Sequence, residues 1–241
     1  MVKSFWEHKT VLITGIGGFI GKHLSLYFEK KGANVVGTSR SLLKNPHIKV
    51  VNVIDRSQFK NVFRAYKPFA CIHLAALSTV EEGKDSPYET FHTNIVGTLN
   101  VLELSRAYGV ARIIIPSTVH VYGDSSLPYK EEEPPKPSRP YETSKTCTDI
   151  MAQSYADTFH LPVLIPRFVN IYGPEDLHFS RVVPKTIRSI FSGHSPTMWG
   201  GEAIREYLYI DDVLSAYDLL ARISNDNLEK KNSQEPFLQK L

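Results

Sequence analysis

The stretch Thr14-Gly15-Ile16-Gly17-Gly18-Phe19-Ile20-Gly21 sits between an apolar run, Val11-Leu12-Ile13, and a segment over 19–31 with apolar residues every three to four positions. A strand, a glycine turn and a helix in that order make a phosphate-binding device. Glycines at 15, 18 and 21 permit a tight turn, close approach of the backbone to a pyrophosphate, and close packing of helix on strand. The helix start then offers oriented N–H groups and partial positive charge. Gly15, Gly17, Gly18, Phe19, Ile20 and Gly21 are therefore expected to bind a dinucleotide.

Working outward, apolar runs recur at 34–36, 50–53, 70–74, 113–115 and 163–165. They are continuous rather than alternating, which suits strands covered on both faces of a parallel sheet. Amphipathic stretches near 57–66, 87–108, 141–159 and 183–192 separate them. Gly32 and Gly109 follow two of the helical segments, where a left-handed cap suits glycine. This alternation predicts an α/β fold with a doubly wound parallel sheet. The five prolines between Asp124 and Pro140 read as a loop, and the polar run 225–235 as a tail that builds no further core.

The composition agrees with a globular chain: 42% hydrophobic and 22% charged residues exclude a disordered or fibrous protein. A net charge of +3 is too small for a strongly basic nucleic-acid binder. The sequence has no eighteen-residue apolar run and no apolar leader at its start, so neither a membrane span nor secretion is expected. Two cysteines, Cys71 and Cys147, cannot build a disulfide framework, and the nine histidines show no ligand spacing, so no metal is assigned. A cytoplasmic protein is the expectation.

Chemistry is suggested at two further places. An acid commonly ends the second strand of such a fold and bonds the adenine ribose. Here Gly37-Thr38-Ser39-Arg40-Ser41 has none. Ser39 and Arg40 suit a 2′-phosphate, which favours NADP and leaves NAD open. The second place is Tyr141-Glu142-Thr143-Ser144-Lys145, where a tyrosine and a lysine share one helical face. The lysine is expected to depress the phenol and make it a usable acid or base. Tyr27 and Lys31 repeat the spacing and read as structural. Pro116-Ser117-Thr118, after the fifth strand, places Thr118 near the same crevice, where it would bond a substrate hydroxyl while Tyr141 takes its proton.

Taken in order, these motifs resemble the extended short-chain dehydrogenase/reductase family of nucleotide-sugar epimerases and dehydratases. The resemblance covers about residues 9–222. Besides the glycine turn and the tyrosine helix it includes His73-Leu74-Ala75-Ala76, Asn94 through Thr98, Ser117-Thr118 with Val121-Tyr122-Gly123, Arg167 through Pro174, and Arg205 through Asp212. It implies a Rossmann-type domain over 1–170 and a small, partial substrate lobe over 171–241 whose elements can interleave with the first. It implies catalysis by Thr118, Tyr141 and Lys145. Asn52, Val53, Leu74, Ala75, Ala76, Asn94 and Ser117 would then contact the cofactor, as would Tyr141 and Lys145. Ser78, Thr118, Asn170, Arg181 and Arg205 would contact a nucleotide-sugar. A homodimer through 87–108 and 141–159 follows by analogy.

Two departures qualify that picture. Sugar 4,6-dehydratases usually follow the threonine with an acid–base pair, whereas this chain has Val119 and His120. Yet the stretch Asp176 to Pro184 looks most like CDP-glucose dehydratase relatives. The sequence also ends soon after the Arg205 segment, from which a shortened lobe and weak nucleotide-sugar affinity are expected. The leading reading is hydride transfer at C4 of a nucleotide hexose. The alternatives are a 4-keto-sugar reductase using NADPH and a non-catalytic, cofactor-binding relative.

Overall fold

The computed structural model describes residues 4–42, 47–125, 128–197 and 204–223; the polar run 225–235 lies outside them. Its centre is a six-stranded, all-parallel sheet. The strands are β1 (Thr10–Thr14), β2 (Asn34–Ser39), β3 (Ile48–Val50), β4 (Ala70–His73), β5 (Arg112–Ile114) and, after a short β6 (Ser117–Thr118), β7 (Val163–Leu164). Their order across the sheet is β3-β2-β1-β4-β5-β7, so the chain reverses its direction of winding between β1 and β4. Ligands bind beyond the carboxyl ends of strands at such a reversal.

Side-chain alternation along β1 divides the core in two. Val11 and Ile13 join Leu24 and Phe28 of α1 (Phe19–Lys30) on one side. Leu12 joins Phe59 and Phe63 of α2 (Arg56–Tyr66) on the other. Both faces are covered, which explains why the strand is apolar at consecutive positions.

Between α2 and β6 the chain forms α3 (Val80–Asp85), α4 (Pro87–Phe91) and α5 (Gly97–Tyr108). The uninterrupted helix expected over 87–108 is instead broken by a wide π-helical turn at His92–Val96, of a kind that gathers at functional sites. Gly109 caps α5 at φ 63°, and Gly32 follows α1 at φ 89°. The third strand ends at Val50, short of the expected 50–53. There Asn52 Oδ1 accepts from the Ile54 N–H and turns the chain into Asp55, which caps α2.

After a 3-10 turn at Val119–Tyr122 come the long α6 (Pro140–Phe159), β8 (Arg167–Phe168), β9 (Asn170–Tyr172), α7 (Val182–Phe191), β10 (Tyr207–Tyr209) and α8 (Ile210–Arg222). β8 pairs with β6, and β10 with β9. Helix α8 lies within the expected second lobe, but it packs in the first core: Val213, Leu214 and Tyr217 join the cluster of Val11 and Ile13. Asp218 fastens it there, accepting from Trp6 Nε1 at 2.6 Å and facing Lys31 and Arg222 at 3.5 and 3.3 Å. A boundary at 170 therefore does not separate two cores. Tyr27 also bonds Asp218, in keeping with its structural reading.

Candidate active site

The glycine turn closes directly onto the loop after β4. Gly15 holds φ 67°, and a Cβ there would stand 2.8 Å from the Ala75 nitrogen. Gly21 is needed for another reason: its Cβ would meet the Gly15 carbonyl oxygen at 2.6 Å, so the start of α1 can lie on the turn only without a side chain. Gly18, by contrast, is exposed, with only the Gly15 oxygen near its missing Cβ. It caps α1 with no side-chain bond and with no acid in the first turn. The Gly18 N–H returns to the Gly15 carbonyl, while the orphan N–H groups that open α1 at Phe19 and Ile20, beside the open approach at Gly17 and Gly18, fit a pyrophosphate.

A directional chain of hydrogen bonds holds the 74–77 loop against this turn. Ala75 N–H donates to Thr14 Oγ1, which meets His73 Nδ1 at 2.8 Å; His73 Nε2 meets Thr98 Oγ1 at 3.2 Å, and Thr98 donates to the Asn94 carbonyl. Every group is satisfied when His73 is neutral and protonated on Nε2. Burial, then the nearby Lys145, press its pKa down to about 3. Its sequence reading favours packing over chemistry; in the structure His73 links three elements of the crevice.

Asn94, placed from sequence against the cofactor, has its amide taken up within the protein. Oδ1 accepts from Leu77 N–H, while Nδ2 donates to the Leu77 carbonyl and to Ser144 Oγ. It holds the loop and the tyrosine helix together from inside the π-helical turn. Val53 is likewise buried, against Gly97, and its carbonyl accepts from Asn100. Leu74, Ala75 and Ala76 remain half-buried on the crevice side and Ser78 is exposed, its N–H bonded to Glu82. Ser39 accepts from Ser41 N–H, and Arg40 is exposed, with no ion pair among the described residues.

The expected catalytic residues converge. Thr118 ends β6 and lies within hydrogen-bonding reach of the Tyr141 phenol, while its Oγ1 accepts from His120 N–H. Lys145, one turn after Tyr141, donates to the Pro116 carbonyl at 2.5 Å. The neighbouring Ser117 Oγ is buried with no partner, an orphan that a bound ribose or nicotinamide amide would satisfy. Together with the open glycine turn, this shows that the residues present fit a nicotinamide dinucleotide.

The electrostatics differ from the sequence expectation. Burial pushes Tyr141 up to about 12, opposed by the Arg181 charge and the Thr118 hydroxyl; Lys145 is not among the groups that pull it down. The lysine ammonium is turned to a backbone carbonyl, and burial lowers it to about 8 against the pull of Asp149. Arg181, at the cap of α7 and 3.5 Å from Asp176, is the cation that faces the phenol.

His120 is lowered by burial, with Glu142 opposing and Arg205 and Arg139 adding to the effect. Arg205 is exposed and donates to the Ile204 carbonyl; among the described residues it forms no ion pair with Glu206 or Asp211. Asn170 Nδ2 donates to the Glu206 carbonyl, so its amide joins β9 to β10. Helix α3 escaped the sequence reading, although Thr79-Val-Glu-Glu82 carries the capping-box spacing and forms that box. It packs so tightly on α6 that a Cβ on Gly83 would lie 2.8 Å from the Tyr141 nitrogen.

The profile of the NAD dependent epimerase/dehydratase family matches residues 11–232. A dTDP-D-glucose 4,6-dehydratase of Dictyostelium discoideum is 33% identical over 240 residues, which cover 88% of this chain and 55% of that protein. The chain thus spans little more than half the length of that relative. The structure of a UDP-glucose 4-epimerase from Thermotoga maritima, solved with UDP-glucose, superimposes with a TM-score of 0.83 at 27% identity, covering 96% of this chain and 84% of that one. A UDP-glucose 4-epimerase from Thermus thermophilus in complex with NAD gives 0.79 at 28% identity, with coverages of 89% and 75%.

Proposed function

Because this chain belongs to the NAD dependent epimerase/dehydratase family, we propose that it catalyses reversible oxidation at C4 of a nucleotide hexose, with 4-epimerisation as the outcome its side chains support best. The observation that carries this is the meeting of Thr118 and Tyr141 beside Lys145 and the orphaned Ser117 hydroxyl. A bound nicotinamide supplies the acceptor and donor of hydride. The protein handles the proton. Tyr141 exchanges it with the oxygen on C4, taking it as the hydroxyl becomes a carbonyl and returning it as the hydroxyl re-forms. Thr118 bonds that same oxygen and fixes its approach. In the free chain burial keeps the phenol protonated, the state that donates; the cation best placed to draw it toward the accepting state is Arg181.

Elimination to a 4-keto-6-deoxy sugar needs an acid for the leaving hydroxyl and a base for the C5 proton. Val119 can be neither. The carboxylate facing His120, Glu142, is buried and holds Ser138 N–H and Arg139 N–H in the cap of α6. Its Oε2 is therefore committed to the fold and its Oε1 faces Arg139 at 3.8 Å, which supports epimerisation over dehydration despite the dehydratase relative.

Asn170, Arg181 and Arg205 are assigned to the nucleotide diphosphate, with Ser78 at the sugar side. Exposed Arg40 beside Ser39 supports NADP over NAD, although a structural neighbour was solved with NAD. Equal affinity for the two cofactors would remove that preference. Arg40 also supports a second reading, a 4-keto-sugar reductase, which would consume the reduced cofactor stoichiometrically. Exposed Leu99 and Ile150 on α5 and α6 support a homodimer through those helices. Two free cysteines support a reducing, cytoplasmic setting. No helix among the described residues is long and apolar enough to cross a membrane.

The test is proton NMR of UDP-, dTDP-, GDP- and CDP-hexoses incubated with the protein and either cofactor, beside Tyr141→Phe. Inverted C4 that disappears by about a hundredfold or more in the variant supports the proposal. Full turnover in the variant overturns it.

A further inference from the structure

Behind the tyrosine–lysine face lies a buried ion pair with no part in the chemistry so far. Asp149 is one turn beyond Lys145 on α6, its side chain only 1% exposed. Arg167, from β8, grips it with both prongs of the guanidinium: Nε to Oδ2 at 2.9 Å and Nη2 to Oδ1 at 3.2 Å. The remaining nitrogen, Nη1, donates to the Tyr122 phenol at 2.6 Å and to the Glu131 carbonyl at 3.2 Å. Gln153 adds a third donor to Asp149.

One guanidinium therefore joins the three segments that carry the site. These are α6 with Tyr141 and Lys145, the 3-10 turn that begins at Thr118's neighbour, and the proline-rich loop before α6. We propose that the Arg167–Asp149 pair is the positioning device of the catalytic lysine: it fixes Asp149 behind the Lys145 ammonium and fixes α6 against the Thr118 turn. This rests on the reading of Lys145 as part of the site.

A fork–fork pair suits the task because it defines orientation as well as distance, which a lysine in place of Arg167 would not. A buried ion pair adds little to stability on balance and is often matched by apolar residues of similar volume. That leaves placement as the function of this one. Lys145 is faced by the neutral His73 from β4 and by Asp149 from its own helix, with Tyr141 one turn earlier and Arg167 behind Asp149. Glu82 of α3, Glu142 and Arg181 act on Tyr141, and Glu142 and Arg205 on His120. Asp149 is accordingly the charge that favours the ammonium form of Lys145.

The experiment replaces both partners, as Asp149→Leu with Arg167→Met, so that no lone buried charge remains to unfold the chain. Lysine labelled with carbon-13 at Cε reports the Lys145 titration directly, its signal assigned by its loss in Lys145→Arg. The double variant should fold and bind cofactor, with the Lys145 midpoint lowered by about half a pH unit or more. Its kcat should fall by about tenfold at nearly unchanged KM, with the pH profile displaced in the same direction. A Lys145 midpoint equal to wild type overturns the proposal, whether or not the protein turns over a nucleotide sugar. So does an unchanged kcat. Should wild type prove inactive while the midpoint shifts, the positioning role stands and the proposed reaction falls.

Discussion

Gly83→Ala tests how closely the tyrosine is held. The added Cβ would stand 2.8 Å from the Tyr141 nitrogen, 2.9 Å from its Cβ and 3.3 Å from its Cα. Ordinary contact begins near 3.4 Å, so the two helices must separate by about 0.6 Å. Nothing nearby can yield by changing rotamer, because the obstacle is main chain. The first turn of α6 is also fastened, by Glu142 to Ser138 and Arg139. Overpacking of this kind costs about 1–3 kcal/mol, offset by about 0.5–1 kcal/mol from the better helix propensity of alanine. Stability should therefore fall by roughly 1 kcal/mol in urea unfolding. Turnover should suffer more: a displacement of about 1 Å can remove a hundredfold of rate, so a loss of about ten- to a hundredfold is expected here. Gly32→Ala is the control. Gly32 has φ 89° and nothing within 4 Å of its missing Cβ, so that change should add backbone strain and leave kcat intact. A Gly83→Ala protein with turnover within twofold of wild type would refute the claim that α3 positions Tyr141.

Lys145 makes stability depend on pH. Burial holds it at about 8 in the folded chain, below its ordinary 10.5, so the unfolded chain binds more protons between those values. The native state should gain stability as pH rises through that window, by about 3 kcal/mol relative to Lys145→Met, a difference measurable by urea unfolding at each pH. A flat difference would show that the amine is not held in a buried site. Asp218→Ala should cost about 3 kcal/mol. That is the low end for a broken buried pair, since Lys31 and Arg222 each keep nearly half their surface in water. A loss below about 1 kcal/mol would mean that Asp218 does not anchor α8.

The sheet was legible because its strands are covered on both faces and its glycine turn is local in sequence. Val11-Leu12-Ile13 faces two cores, and so appears as an unbroken apolar run. That Thr118, Tyr141 and Lys145 lie in one crevice was legible from spacing and order. What sequence could not supply were pairings between distant residues and the consequences of burial. Arg167 and Asp149 are 18 positions apart and meet only after β8 pairs with β6. The π-helical turn leaves no sign in periodicity, since its helix continues on either side. Spacing puts Lys145 and Tyr141 on the same face but cannot reveal that the ammonium is directed to Pro116 or that burial raises the phenol. Helix α3 is a different case, as its capping box was present and readable.

The most direct test of the account is a single-turnover experiment with cofactor-loaded protein. A nucleotide hexose bearing deuterium at C4 is mixed with it, and the near-ultraviolet absorbance of reduced nicotinamide is followed. The account predicts a transient rise that deuterium slows and that Tyr141→Phe abolishes. A folded, cofactor-loaded protein that shows no such rise with any of the four nucleotide hexoses would contradict it.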